Sequence, residues 1–374
     1  MNAQVNPVPS EQRPGRIGIL TFHRCINYGS YWQARSLLEG LRQRGHDAVL
    51  LDHRCAQARR AEWRCAFQPL LPERSPRSDF PAYAAKARKL IEAVNELPSS
   101  APFDLDEPGT LEDDLDLVIV GSDEVWNLRH PWYAGRRAFY GEGLPTKRIV
   151  SYAASFGNHD VSEGLAPDWS DRLRRFDAIS VRDRNAREML RDALGMEADM
   201  VLDPVLQFPP EMPPASAIAG PGEDTPSEPY IAVYGHSFPD WYAQAMRAFA
   251  EASGQKLVSI GYRNAWADEQ RIDAGPDDFL RLIARSSALA TNFFHGCVFA
   301  LRCERPFAAV ASAYRANKLR DLMEAVGAEP PLADEEDAAR RLARLMSEPL
   351  DPAIATRIAA MREQSDRYLD KVLA

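Results

Sequence analysis

His295 stands where a sequence can be read for proton-transfer chemistry. It opens a helix directly after an apolar strand, in TNFFHGCVFALRCERPF (291–307). Unpaired N–H groups and the dipole at a helix start attract anions and keep an imidazole neutral, and a neutral imidazole accepts a proton. Gly296, next in the chain, leaves room for a ligand against the helix end. Four other loops that follow strands carry groups of similar potential. TFHRCINYGS supplies Asn27, Tyr28 and Gly29, and GSDEVWN supplies the hydroxyl of Ser122 and the carboxylate of Asp123, with Trp126 and Asn127. SYAASFG supplies Ser155 and Phe156, and SVRDRNA supplies Arg182, whose guanidinium fork suits a carboxylate or phosphate. Each has a plainer reading. Asn27 and Gly29 also suit a helix start, Ser122 with Asp123 a helix cap, Asp183 or Asn185 another, Phe156 a core, and Arg182 a solvated ion pair. A lone histidine is more often structural than catalytic. Acting together, the five loops point to a cleft enzyme for an anionic small molecule.

Such loops converge only if the strands before them end at one edge. The chain alternates accordingly. RIGIL (16–20) is followed by a helical pattern with Trp32, Leu37, Leu38 and Leu41 at helical spacing, a stop at Gly45, and the strand-like DAVLLD. Strand-like runs return at 116–121, 148–155, 177–183 and 198–203, several of them continuous apolar runs of the kind buried on both faces of a parallel sheet. Residues 55 to 111 are Arg- and Pro-rich, with helical stretches and no clear strand, and read as an insertion on the surface of the first domain. Residues 207–229 hold seven of the 28 prolines, too many for any element interior, and read as a linker. Beyond it the alternation restarts at YIAVYG. The expected architecture is α/β, with two doubly wound domains. Their boundaries are a disordered tail over 1–15, a first domain over 16–206, the linker, a second domain over 230–350, and a closing helix over 351–374 that packs back on the first. In such sheets ligands bind beyond the carboxyl ends of the strands, so the five loops surround one cleft.

Composition narrows the partners. With 45 Lys and Arg against 54 Asp and Glu the net charge is -9, a field that repels phosphate backbones and argues against nucleic acid. No run approaches the roughly 18 apolar residues of a membrane span, and the first residues lack the apolar core of a secretory signal, so a cytoplasmic protein is expected. Five cysteines without a CxxC pair argue against a disulfide framework and a zinc knuckle. GxxxxGK[ST], a convincing GxGxxG and HExxH are all missing, which removes the main support for ATPase, nicotinamide and zinc-hydrolase readings.

The motifs TFHRCINYGSYWQA, DLVIVGSDEVWN, RIVSYAASFG, ISVRDRNA, VLDPVL and TNFFHGCVFAL, in this order, resemble the polysaccharide pyruvyl transferase family over residues 16 to 325. The resemblance implies two Rossmann-like domains facing across a cleft in the GT-B arrangement, with the acceptor on the first domain and the donor on the second. It implies phosphoenolpyruvate as donor, a sugar or glycan acceptor, free or lipid-linked, and a pyruvate ketal as product. Neither cofactor nor metal is implied. By similarity His295 is the active-site histidine, with Asp123 as a second candidate for proton transfer. Arg182 is the donor clamp, joined by Asn292, Phe294, Gly296, Arg315 and Lys318. The acceptor side falls to Asn27, Tyr28, Gly29, Ser122, Trp126, Asn127, Ser155 and Phe156. Two departures stand out: relatives often carry an arginine or serine before the histidine, where this chain has Phe293 and Phe294, and Glu124 stands where glutamine is common. Arg182, Arg315 or Lys318 would then supply the missing positive charge. A lipid-linked acceptor would draw the enzyme to the inner membrane face. Two rivals remain: a nucleotide-sugar glycosyltransferase on the same fold, and a non-catalytic glycan-binding relative.

Overall fold

In a computed structural model, which describes residues 15–212, 228–312 and 314–374, the apolar runs become two parallel sheets. The expected tail and most of the expected linker, residues 1–14 and 213–227, lie outside the described residues. The first domain runs through β1 (Arg16–Leu20), α1 (Tyr28–Gln43), β2 (Asp47–Leu50), β3 (His53–Arg54), α2 (Ala56–Phe67), α3 (Phe80–Asn95) and β4 (Phe103–Asp104). It continues with β5 (Leu117–Val120), β6 (Ile149–Ser151), α4 (Pro167–Leu173), β7 (Ser180–Val181), α5 (Arg184–Leu194), β8 (Asp199–Met200) and α6 (Pro204–Gln207). Its main sheet has the order β2-β1-β5-β6, and single bridges from Val150 to Ala178 and from Ala154 to Val181 carry it on to β7 and β8.

The second domain contains β9 (Tyr230–Tyr234), α7 (Asp240–Ser253), β10 (Lys256–Ile260), β11 (Glu269–Arg271), α8 (Pro276–Arg285) and β12 (Ala288–Thr291). After these come α9 (Phe294–Arg302), β13 (Phe307–Ala309), α10 (Ala316–Val326), α11 (Glu335–Ser347) and α12 (Pro352–Leu373). Its sheet order is β11-β10-β9-β12-β13, every pair parallel. The edge strand β11, three half-buried polar residues, has no apolar run to announce it. Strands β5 and β9 are buried at every position, as central strands covered on both faces must be.

Strand order reverses between β1 and β5 in one sheet and between β9 and β12 in the other. Connections leave in opposite directions at such a point, opening a crevice. The loops after β1, β5, β9 and β12 therefore come together between the domains. Tyr28, Tyr31 and Trp32 of α1 share one apolar core with Leu90 and Val94 of α3, Val205 and Leu206 of α6, the second sheet, and Ile354 and Ile358 of α12. The Tyr28 hydroxyl donates to the Ala274 carbonyl at 2.6 Å, and the Trp32 indole donates to that of Pro276 at 3.3 Å. The far end of α12 lies on the first sheet through Tyr368, Leu369, Val372 and Leu373, and the Tyr368 hydroxyl donates to Ser151 O at 2.6 Å.

The insertion differs from its expected form. It contains a strand, β4, which pairs with β3, and it is no mere surface feature of the first domain. Besides sharing the common core, α3 donates from Lys86 Nζ to Gly261 O at 2.8 Å, and Asp79 just before it pairs with Arg263. The insertion is clamped to both domains. Among the described residues no helix is long and apolar enough to cross a membrane.

Candidate active site

The post-strand loops enclose a cavity of about 270 Å³ between the domains. At its base lies a row of buried charges. Asp123, two residues past the glycine that ends β5, adopts a left-handed backbone (φ +72°), a conformation that asparagine and aspartate tolerate best. Its carboxylate is held from three sides: Ser30 Oγ donates to Oδ2 at 3.0 Å, the Glu124 backbone N–H to Oδ1 at 2.9 Å, and Arg182 Nη2 to Oδ1 at 3.1 Å. Arg182 Nη1 also donates to Asp203 Oδ2 at 2.8 Å, and His295 Nε2 lies 3.5 Å from the same oxygen. Asp203 caps α6 by accepting from the Val205 N–H. Burial pushes the Asp123 carboxyl up, but Arg182, His295 and Lys318 outweigh it and hold the group near about 2. Burial likewise opposes ionisation of Asp203, and His295 with Arg182 turns the balance downward.

The phenylalanines before the histidine seat cations. The Arg315 guanidinium lies 4.4 Å from the Phe293 ring centroid, and that of Arg182 lies 4.5 Å from Phe294. Among the described residues no carboxylate pairs with Arg315; its nearest polar contact is Ser312 Oγ at 3.3 Å, and burial lowers its pKa. Lys318, by contrast, donates to Glu124 Oε1 at 2.9 Å, which cancels the extra negative charge of Glu124. Lys86 reaches in from α3, over the rings of Tyr262 at 3.9 Å and Tyr28 at 4.9 Å, and burial pulls its pKa down to about 7. Among the described residues no side chain caps α9, whose first residues, Phe294 and His295, line the same cavity, so the N–H groups of its first turn lack a side-chain partner.

Seven of the sixteen residues singled out in the sequence line this cavity: Asn27, Asp123, Arg182, Phe294, His295, Arg315 and Lys318. Asn27 also takes its plainer role, capping α1 by accepting from the Gly29 and Ser30 N–H groups at 2.7 and 3.3 Å. Arg182, expected as the donor clamp, lines the cavity and also takes its plainer role in an ion pair, each of its Nη groups holding one carboxylate, Asp123 or Asp203. The other nine sit behind the wall. Tyr28 is fully buried in the domain interface, stacked on Phe279. Gly29 leaves room for the His295 ring and Gly296 for the Thr291 side chain, since a Cβ at either would overlap those atoms; neither opens ligand space. Ser122 and Ser155 are buried, Ser155 Oγ accepting from the Gly157 N–H. Trp126 packs on Phe156 in the first core and donates to Phe139 O at 2.8 Å. Asn127 braces Glu124 and Asn158, and Asn292 donates to His236 O at 2.7 Å. Asp183 is the cap of α5, accepting from the Ala186 N–H at 2.8 Å.

A histidine in an inter-domain cavity with an anion-compatible wall fits several transferases, and the whole pattern of residues decides among them. The sequence profile of the polysaccharide pyruvyl transferase family matches residues 27–314. The chain belongs to that family. Membership gives this pyruvyl transferase relative a role in polysaccharide modification and a glycan as acceptor. No curated protein shows significant similarity to it. Solved structures share its fold: a putative UDP-N-acetylglucosamine 2-epimerase from Listeria monocytogenes aligns with a TM-score of 0.52 at 11% identity, covering 96% of this chain and 95% of the other. The Methanocaldococcus jannaschii UDP-GlcNAc 2-epimerase in complex with UDP-GlcNAc and UDP gives 0.52 at 12%, with 95% and 99% covered. S. aureus MnaA in its structure with UDP gives 0.51 at 12%, with 96% of each chain covered. At such identities the likeness is one of fold, two Rossmann-like domains facing across a cleft.

Four residues of the candidate site carry no signal that the sequence reading used: Ser30, Glu62, Lys86 and Asp203. Asp203 lies inside the motif VLDPVL, and an aspartate before proline at a strand's end was signal enough for a cap. Lys86 and Glu62 lie on the insertion, in amphipathic helical patterns that do not distinguish a cavity from a core.

Proposed function

We propose that this chain transfers the enolpyruvyl group of phosphoenolpyruvate to two hydroxyls of one sugar. The sugar belongs to a cell-surface or exopolysaccharide glycan, or to its lipid-linked precursor, and the products are a pyruvate ketal and phosphate. The observation that carries the reading is His295, at an uncapped helix start, facing a cavity lined by two basic side chains, Arg315 and Lys86, that have no carboxylate partner among the described residues, in a member of this family.

Phosphoenolpyruvate brings a carboxylate and a phosphate, and Arg315, Lys86 and the first N–H groups of α9 offer them charge-assisted hydrogen bonds. Protonating the terminal methylene makes the adjacent carbon electrophilic. One sugar hydroxyl attacks it, the C–O bond to phosphate breaks, and a second hydroxyl closes the ketal. Two hydroxyl protons leave the sugar; one ends on the new methyl group and the other departs with phosphate. A single titratable group can therefore both give and take. With Nε2 of His295 directed at Asp203, Nδ1 is the nitrogen that exchanges protons, and Asp203 fixes the ring orientation. Asp123, held ionised, orients an acceptor hydroxyl. The reaction as written needs no cofactor, and it takes place in the cytoplasm, at the inner membrane face when the acceptor is lipid-linked.

Thermal unfolding in the presence of phosphoenolpyruvate, UDP, GDP or CMP tests the donor without any guess about the acceptor. Phosphoenolpyruvate should raise the melting temperature selectively, in wild type and in His295→Ala alike, while phosphate release with a glycan acceptor is lost only in the variant. Stabilisation by a nucleotide and not by phosphoenolpyruvate would transfer the site to glycosyl transfer.

A further inference from the structure

Beyond the reaction cavity, and sharing Ile26 and Glu62 with it, lies a second cavity of about 630 Å³. It is roofed by α2 and α3 of the insertion, and nothing in the proposed reaction uses it. Glu62 marks the junction. Its side chain is buried; Oε2 accepts from the Ile26 N–H at 3.4 Å, and Oε1 has no hydrogen-bond partner among the described residues. A buried acceptor left unpaired in this way is satisfied by a ligand that brings a hydroxyl. The lining of the larger cavity has the chemistry of a sugar site. Trp63, 39% exposed, is among the few large exposed hydrophobic side chains of the described residues and offers an aromatic face at the rim. Around it stand planar polar groups. Arg59 has no carboxylate partner among the described residues, Arg24 and Arg54 share the single carboxylate of Asp52, and Asn95 and Asp104 add acceptors. A pyranose presents an apolar C–H face to an aromatic ring and its equatorial hydroxyls to such groups.

We infer that this second cavity is the subsite for the saccharide unit adjoining the sugar that reacts, and that Glu62 accepts a hydroxyl hydrogen where the glycan passes from one cavity to the other. The inference rests on the acceptor being a glycan and is independent of the donor. The smaller cavity, at the low end of small-molecule sites, accommodates the donor and one ring, and the rest of a polysaccharide must leave through a neighbouring opening.

Calorimetric titration with matched saccharides tests this: glucose against cellobiose, galactose against lactose, and mannose against mannobiose. At least one disaccharide should bind wild type tenfold or more tightly than its monosaccharide. Trp63→Ala and Arg59→Ala, both surface changes, should abolish that increment and leave monosaccharide affinity within twofold. Glu62→Gln should weaken the disaccharide at least threefold. The absence of an increment in every pair, or its survival in both surface variants, would overturn the assignment. So would binding of wild type to phosphatidylglycerol vesicles that both variants lose, without disaccharide preference, because the patch would then be a membrane contact. Stabilisation by phosphoenolpyruvate, recorded on the same samples, reports on the donor alone, so failure of the proposed reaction and failure of the subsite give different results.

Discussion

Asp203 accepts from Arg182 and faces His295, so one carboxylate fixes both the cation that holds Asp123 and the ring proposed to move protons. In Asp203→Asn the capping oxygen is retained while the charge is lost. Phosphate release should fall on the order of a hundredfold or more, as for other residues that orient a catalytic histidine, while stabilisation by phosphoenolpyruvate persists. An equal loss of donor binding would show that Asp203 shapes the donor pocket instead. Glu62 yields a pH signature. Burial raises its carboxyl from 4.5 to about 7, so between those values the folded protein holds a proton that the unfolded chain has released. Stability contributed by this group is therefore complete below about pH 4.5 and declines as pH rises to about 7. At about 1.4 kcal/mol per unit the decline amounts to about 3 kcal/mol. Glu62→Gln keeps an acceptor for Ile26 and cannot ionise. Its stability relative to wild type, measured by urea denaturation, should rise across that window and level off above it; a difference that does not change with pH would mean that Glu62 stays ionised.

At the scale of elements, the packing of α1 against α9 sets the position of His295. Gly29 lies in the first turn of α1 with the His295 ring where its Cβ would be. Gly29→Ala should therefore cost about 1–3 kcal/mol by overpacking and displace the imidazole, lowering turnover more than stability alone predicts. Denaturation and phosphate-release assays on one preparation would check both. The same packing explains what the sequence reveals and what it hides. Central strands such as β5 and β9 are apolar at every position and can be read directly, as can α1 from the spacing of Trp32, Leu37 and Leu41. β11 is short, polar and at an edge, and leaves no pattern. Of the site, His295 and Asp123 were legible because strand ends and helix starts have local signatures. Which faces of Tyr28, Trp126 and Phe156 are covered depends on segments distant in the chain, and an aromatic in a loop reads the same whether it meets ligand or core. Arg182 follows the same logic: only the fold brings two carboxylates to one guanidinium.

For the whole molecule, the decisive feature is that one apolar core runs from α1 and α3 through the second sheet to α12. Burying each large apolar side chain there contributes on the order of 1.5–3 kcal/mol, and those contributions are lost from both domains together when they part. Calorimetry should accordingly record a single thermal transition, with near-ultraviolet and far-ultraviolet signals melting together; two separated transitions would refute the shared core. Because α12 starts on one domain and ends on the other, a deletion from residue 352 would strip apolar surface from both. The shared core also bears on engineering by recombination. A hybrid joined between residues 212 and 228 would look natural, with each half contributing its own sheet, yet it would mismatch α1, α3 and α12 against a foreign surface and misplace Gly29 beneath the histidine. If the second cavity is the proposed glycan subsite, acceptor preference is better exchanged by grafting the α2 segment alone, whose side chains line that cavity and whose replacement leaves that core in one piece.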